Sequence, residues 1–140
     1  MSAALYFVVP GNPVGKGRPR ASTRGGFVRM YTDAKTVTYE QAIAHQATFA
    51  MHGMDLFTTP ISMRILAFYG IPPSWTKRKQ MQALRGELIP GKPDIDNVAK
   101  AVLDACHVVY VDDKQVIRLV IEKEYSYDPR IEVYIHEILK

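Results

Sequence analysis

The 140-residue sequence holds a single cysteine, Cys106. One thiol makes no internal disulfide, which excludes a disulfide scaffold and points to a reducing compartment. Cys106 follows a helical pattern and reads as a small buried apolar residue. No apolar run approaches the roughly 20 residues of a membrane span. The opening MSAALYFVVPG has no basic n-region, and its apolar run breaks at Pro10, so no targeting segment is expected. Internal repeats and low-complexity linkers are also absent. These absences predict a soluble, cytoplasmic protein built as one domain over residues 1–140, long enough to hold a core without staples.

Other absences exclude particular chemistries. From Gly11 to Gly15 the spacing is one residue short of a Walker loop, and Gly17 stands where Ser or Thr is needed, so no nucleotide cofactor is expected. There is no Gly-x-Ser-x-Gly elbow for a serine nucleophile. His45, His52, His107 and His136 form no ligand pattern with cysteine and read as structural or surface residues.

What is present is unevenly distributed charge. The net charge is +4, but residues 1–35 carry Lys16, Arg18, Arg20, Arg24, Arg29 and Lys35 against Asp33 alone, a net of +5. Residues 72–92 carry five bases against Glu87, a net of +4, whereas residues 104–140 are net −3. Two basic segments in one chain suit a polyanionic partner.

Apolar spacing predicts an α+β fold: a mixed, largely antiparallel sheet of about four strands backed by helices. Strands are expected at 5–9, 61–70, 108–111, 116–125 and 131–138, the last two as a hairpin around SYDPR. Helices are expected from Thr32 or Asp33 toward Gly53, over 74–86 with Ser74 as N-cap, and from Asn97 onward. Residues 11–30 read as a flexible basic loop of Gly, Pro and Arg, too broken for regular structure.

Within the basic chain, KPDIDNVAK (92–100) crowds Asp94 and Asp96 beside Lys100. On an extended segment, residues i and i+2 share a face, so both carboxylates would project together. Such a pair repels itself unless a divalent cation sits between the charges. Lys100, one helical turn beyond Asp96, can reach the same phosphate. A second pair, Asp112 and Asp113 in YVDDKQV, would add one or two carboxylates if it lies alongside. The set suits metal-assisted phosphodiester hydrolysis. The plainer alternative is that Asp94 caps a helix and DDK forms a turn.

KPDIDNVAKAVLDA followed by VVYVDDKQV resembles the RusA family of Holliday junction resolvases. The match runs through Asp94, Asp96, Asn97, Lys100, Leu103, Asp104, Ala105, Asp112, Asp113 and Gln115. The arm GNPVGKGRPR is similar to one found in many members. The chain departs from the family at CHVVY, where many members have a turn rich in Asn and Gly. The resemblance implies a small homodimeric, Mg²⁺-dependent endonuclease, with Mn²⁺ as a possible substitute, often of phage or prophage origin and acting in a bacterial or infected cell. It implies paired nicks across a four-way junction during recombination or repair. It further implies that Asp94, Asp96 and Asp113 are catalytic metal-binding acids, with Asp112 as an accessory, and that Lys100 is the catalytic lysine.

Lys16, Arg18, Arg20 and Arg24 on the arm, and Lys77, Arg78 and Lys79 after Trp75, are the expected DNA contacts, made to phosphates rather than bases. Trp75 reads more readily as a helix-to-core anchor than as a base-stacking platform. Two symmetric cuts require two acid clusters, which a two-fold homodimer supplies. A nuclease for flaps or other branched DNA, and a non-catalytic DNA-binding module, are the competing readings.

Overall fold

Ile61–Gly70 places Ile61, Met63, Ile65, Ala67 and Tyr69 on one side, as the two-residue period of a strand requires. In the computed structural model all five are buried, and this strand (β4) is internal to a four-stranded sheet. The structure describes residues 3–17, 20–26, 28–31 and 33–139, with 20, 24 and 29–31 described in backbone only. Strands β1 (Ala4–Pro10), β6 (Arg130–Glu137), β4 and β5 (Val116–Ser126) lie side by side in that order. The first two pairings are antiparallel, and β4–β5 is parallel. Leu5, Phe7, Val9, Ile131, Val133 and Ile135 complete the buried face. Each such side chain contributes about 1.5–3 kcal/mol by leaving water. The expected α+β architecture, largely antiparallel and four-stranded, is the one observed.

Two helices supply buried residues to the same core. Helix α1 (Ala34–Met51) begins at Asp33, whose carboxylate accepts the Lys35 N–H at 2.8 Å. It buries Thr36, Tyr39, Ile43, Ala47 and Met51, and it stops at His52 and Gly53, both at positive φ. Helix α3 (Ile95–Ala105) buries Val98, Ala101, Val102 and Ala105 and packs against α1. The short α2 (Lys77–Leu84) lies beside β5 and buries Ala83. Among the described residues, no helix is long and apolar enough to cross a membrane.

Four expectations are corrected. First, β5 and β6 do not form a hairpin, because β4 lies between them and pairs with both. Residues 127–129 therefore cross the end of β4, and the Gly11 N–H donates to the Pro129 carbonyl at 3.0 Å. Second, VVYV is not a strand. The chain leaves α3 through a 3₁₀ turn, Cys106–Val108, and Tyr110 makes only an isolated parallel bridge to Phe57. A short apolar run can bury itself equally well at a helix end. Third, Thr76 rather than Ser74 caps α2, accepting the Lys79 N–H at 3.2 Å. Ser74 is held in a turn that the Trp75 N–H closes onto the Pro72 carbonyl. Fourth, part of the basic loop is regular. Strands β2 (Arg20–Ser22) and β3 (Arg29–Tyr31) form an antiparallel ribbon around Gly25 and Gly26, which turn the chain at φ 77° and 81°.

The parallel β4–β5 pairing has a consequence for function. Parallel neighbours require a long crossover, and here it contains α2, α3 and the DDK turn. All the acids singled out from sequence lie on that one connection.

Candidate active site

Helix α3 starts earlier than expected, and this separates the two aspartates of the DxD motif. Asp94 is the N-cap, in extended conformation, with no side-chain hydrogen bond to the helix, and Asp96 already lies in the first turn. Two residues around a helix turn the chain by roughly 200°, so the same-face argument for an extended segment does not hold. Asp94 lines a cavity of about 750 Å³ together with Asn97, Gly15, Lys35, Lys92 and Tyr69. Asp96 lines another, of about 500 Å³, between α3 and β5. Lys100, Asp104 and Asp113 line that second cavity too, over an apolar wall that includes Leu103, Leu119 and Ile121. Asp96, Lys100 and Asp113 thus share one cavity, whereas Asp94 opens onto the other.

The DDK turn separates its two aspartates by the same means. Asp112 is the cap of a 3₁₀ turn, Asp113–Gln115, and its carboxylate accepts the Lys114 N–H at 2.9 Å. Gln115 accepts the N–H groups of Val111 and Asp112 at 2.9 and 2.8 Å, completing a capping box. The amide of Gln115 donates to the carbonyls of Phe57 and Thr59, which fastens the turn beside the entry to β4. Asp113 is left to line the α3–β5 cavity. Its Oδ1 lies 2.9 Å from His107 Nε2 and 3.4 Å from the Tyr110 hydroxyl oxygen. Tyr110 is buried, and its hydroxyl donates to the Leu103 carbonyl at 2.7 Å.

The sequence arguments gave no role to His107 and Tyr110. His107 and Asp113 are six residues apart across an irregular turn, a spacing that no periodicity marks. Gln115 is part of the family resemblance, but two of its four side-chain hydrogen bonds depend on a contact with Phe57 and Thr59.

The arm is anchored against α3. A Cβ on Gly15 would stand 2.6 Å from Pro93 Cβ and 2.8 Å from Asn97 Cβ, so only glycine fits there. The Lys16 N–H donates to the Asn97 carbonyl at 2.9 Å. The Lys16 ammonium, expected on a phosphate, lies 2.8 Å from Asp104 Oδ2 and 3.0 Å from Glu40 Oε1. It clamps α1 to α3 from the arm. Arg18 lies outside the described residues, and the side chains of Arg20 and Arg24 are likewise undescribed. Lys77, Arg78 and Lys79 are exposed on α2. Lys79 Nζ sits 4.1 Å above the half-buried Trp75 ring, which packs edge-on against Tyr125.

Charge and burial set the protonation of neighbouring groups. The Lys16 pKa is raised, chiefly by its hydrogen bond to Asp104, against an opposing cost of burial. Burial, reinforced by the Asp113 charge, pushes the Cys106 thiol up to about 12. At neutral pH it is a packed thiol and not a nucleophile. Tyr110 is also raised, by burial first and then by Cys106 and Asp113. Tyr69, raised to about 12 by burial and then by Asp94, keeps its proton and donates it to the Pro93 carbonyl.

Comparison with known proteins identifies the family. Residues 10–136 match the family described as endodeoxyribonuclease RusA. The chain belongs to the RusA family. It is 42% identical over 139 residues, covering 96% of each chain, to a protein of Bacillus subtilis (strain 168) described as the uncharacterized protein YqaN. RusA membership makes the chain an endodeoxyribonuclease, an enzyme of the Holliday junction resolvase class that acts on branched DNA. RusA nucleases generally use a divalent metal. Among the described residues, no three His, Cys, Asp or Glu side chains form a metal centre. The α3–β5 cavity nevertheless offers hard oxygen donors from Asp96 and Asp113. That set fits a small divalent cation, which commonly takes one or two carboxylates and completes its shell with water and phosphate oxygens.

Proposed function

We propose that this protein is a Mg²⁺-dependent resolvase that cuts four-way DNA junctions by paired, symmetric nicks, working as a homodimer. The observation that carries the reading is the shared cavity: Asp96, Lys100 and Asp113 come from a helix and a separate turn, yet line one concavity. Asp96 and Asp113 would hold the cation, with Mn²⁺ able to replace Mg²⁺. When bound, it supplies Lewis-acid polarisation of the phosphoryl oxygen and a more acidic water. Lys100, one turn along the helix from Asp96, would place positive charge against the oxygen that leaves the phosphorus. The apolar wall of Leu103, Leu119 and Ile121 would strengthen these interactions by thinning the water around them. Asp94 remains a third acid in this reading, contributing from the arm side of the same helix end. Lys77, Arg78 and Lys79, with the arm residues Arg18, Arg20 and Arg24, would carry the phosphate contacts. A two-fold pair of such sites suits two cuts in opposed strands.

The test is a synthetic four-way junction, end-labelled on each strand in turn and incubated with Mg²⁺ or with EDTA. Paired nicks at symmetric positions in two opposed strands, only with Mg²⁺, are expected. Cleavage of a flap in preference to the junction would move the protein to another branched substrate. Binding without cleavage under any divalent metal would leave it a DNA-binding module.

A further inference from the structure

We propose that His107 is a positioning residue for the Asp113 carboxylate, a role that rests on the reading of Asp113 as a metal-binding acid. Its place follows from the local chain. After α3 ends, Cys106, Val109 and Tyr110 turn inward and are fully buried. His107, between them on the 3₁₀ turn, is left half-exposed against Asp113, which itself lines the α3–β5 cavity. Its ring packs against the Tyr110 ring with centroids 5.4 Å apart, and Tyr110 is itself fixed by its hydroxyl bond to the Leu103 carbonyl. The imidazole therefore stands against a rigid support.

The contact has a definite direction. An ionised carboxylate only accepts, so at 2.9 Å Nε2 must carry the proton and donate to Asp113 Oδ1. His107 donates to Oδ1, and the Tyr110 hydroxyl oxygen crowds the same atom at 3.4 Å, which leaves Oδ2 as the oxygen with more capacity for the cavity that Asp96 and Lys100 share. Asp113 is half-exposed and has few other restraints on its rotamer. A donor on one oxygen fixes the direction of the other, and hydrogen bonds of this kind to metal-binding carboxylates govern affinity strongly. This device is absent from the sequence pattern that places acids at 94, 96 and 113. It exists only because the turn brings residues 107 and 113 together.

The experiment compares the intact wild-type protein with His107→Phe, His107→Asn and His107→Gln, titrating each with Mn²⁺ by calorimetry and by electron paramagnetic resonance. Phe keeps the ring contact with Tyr110 but has no donor, Asn is too short to reach, and Gln can bring an N–H to the place of Nε2. The expected result is a loss of about 10- to 100-fold in Mn²⁺ affinity for Phe and Asn. Gln should recover most of that loss. Junction binding in EDTA should be unchanged in all three, and cleavage should recover at saturating Mn²⁺ in proportion to occupancy. If His107→Phe destabilises the fold, the Asn and Gln pair still decides the matter. Wild-type Mn²⁺ affinity in Phe and Asn overturns the role of His107 while leaving the nuclease reading intact. A Gln variant as impaired as Asn overturns it as well. A wild-type protein that neither binds Mn²⁺ nor cleaves with it overturns the nuclease reading, and this role with it.

Discussion

The two cavities that meet the start of α3 share no lining residue and differ in kind. The larger one, toward the arm, is rich in glycine: Gly15, Gly17, Gly70 and Gly91 line it together with Lys35, Lys92 and Asp94. The smaller one, toward β5, has apolar walls and concentrates charge in four side chains, Asp96, Lys100, Asp104 and Asp113. Asp94 and Asp96 belong one to each. The difference shows how a helix start assigns function. Moving the N-cap to Asp94 turns Asp96 away from its neighbour and toward a carboxylate from a different turn.

The sharpest way to break this division is to neutralise each acid separately. Asp96→Asn should lower Mg²⁺-dependent junction cleavage by about 10²-fold or more, with junction binding in EDTA preserved. Asp94→Asn should fall as far, because the family resemblance places it among the catalytic acids. Equal losses in a single-turnover assay would mean that the two cavities act as one site on bound DNA. An Asp94→Asn rate within tenfold of wild type would keep them apart.

A milder change tests the arm-side cavity alone. Gly15→Ala adds a Cβ against Pro93 and Asn97 at less than contact distance, so the arm must lift from the head of α3. A cost of about 1–3 kcal/mol is expected, read from urea unfolding, with weaker junction binding than wild type. Unchanged stability and binding would show that the arm is not held through this contact.

The smallest effect is expected in the DDK turn. Asp112→Ser keeps an N-cap acceptor of similar quality, so cleavage and stability should both stay close to wild type. A loss comparable to that of Asp96→Asn in the same cleavage assay would make Asp112 a metal-site acid and not a cap.

Much of this was legible from residue order. The strand over 61–70 appeared at its full length because period-two burial and the flanking Pro60 and Gly70 agree. Asp33 as a cap and Gly53 as a stop were likewise local signals. Other features were not legible. The β5–β6 turn looks like a hairpin from either side, and only the insertion of β4 between the two strands shows otherwise. Lys16 looks like one more cation on a basic arm. Its partners, Glu40 and Asp104, lie 24 and 88 residues away, and no local pattern reaches that far. Asp94 and Asp96 were read as one face because the helix was started at Asn97, and an error of two residues reversed the geometry.

By itself, the sequence determined which groups are available: four acids and a lysine at family spacing, two basic segments, a glycine-rich arm, and apolar periods sufficient for an α+β core. These are properties of neighbours along the chain, and short-range stereochemistry reads them directly. The tertiary structure alone decided how the groups are divided. It set Asp96, Lys100 and Asp113 around one cavity and Asp94 around another, made Asp112 a cap, withdrew Lys16 into an ion pair, and brought His107 to Asp113. Each of those outcomes depends on where a helix begins or on a contact between separated segments, and such contacts exist only once the sheet and helices have packed.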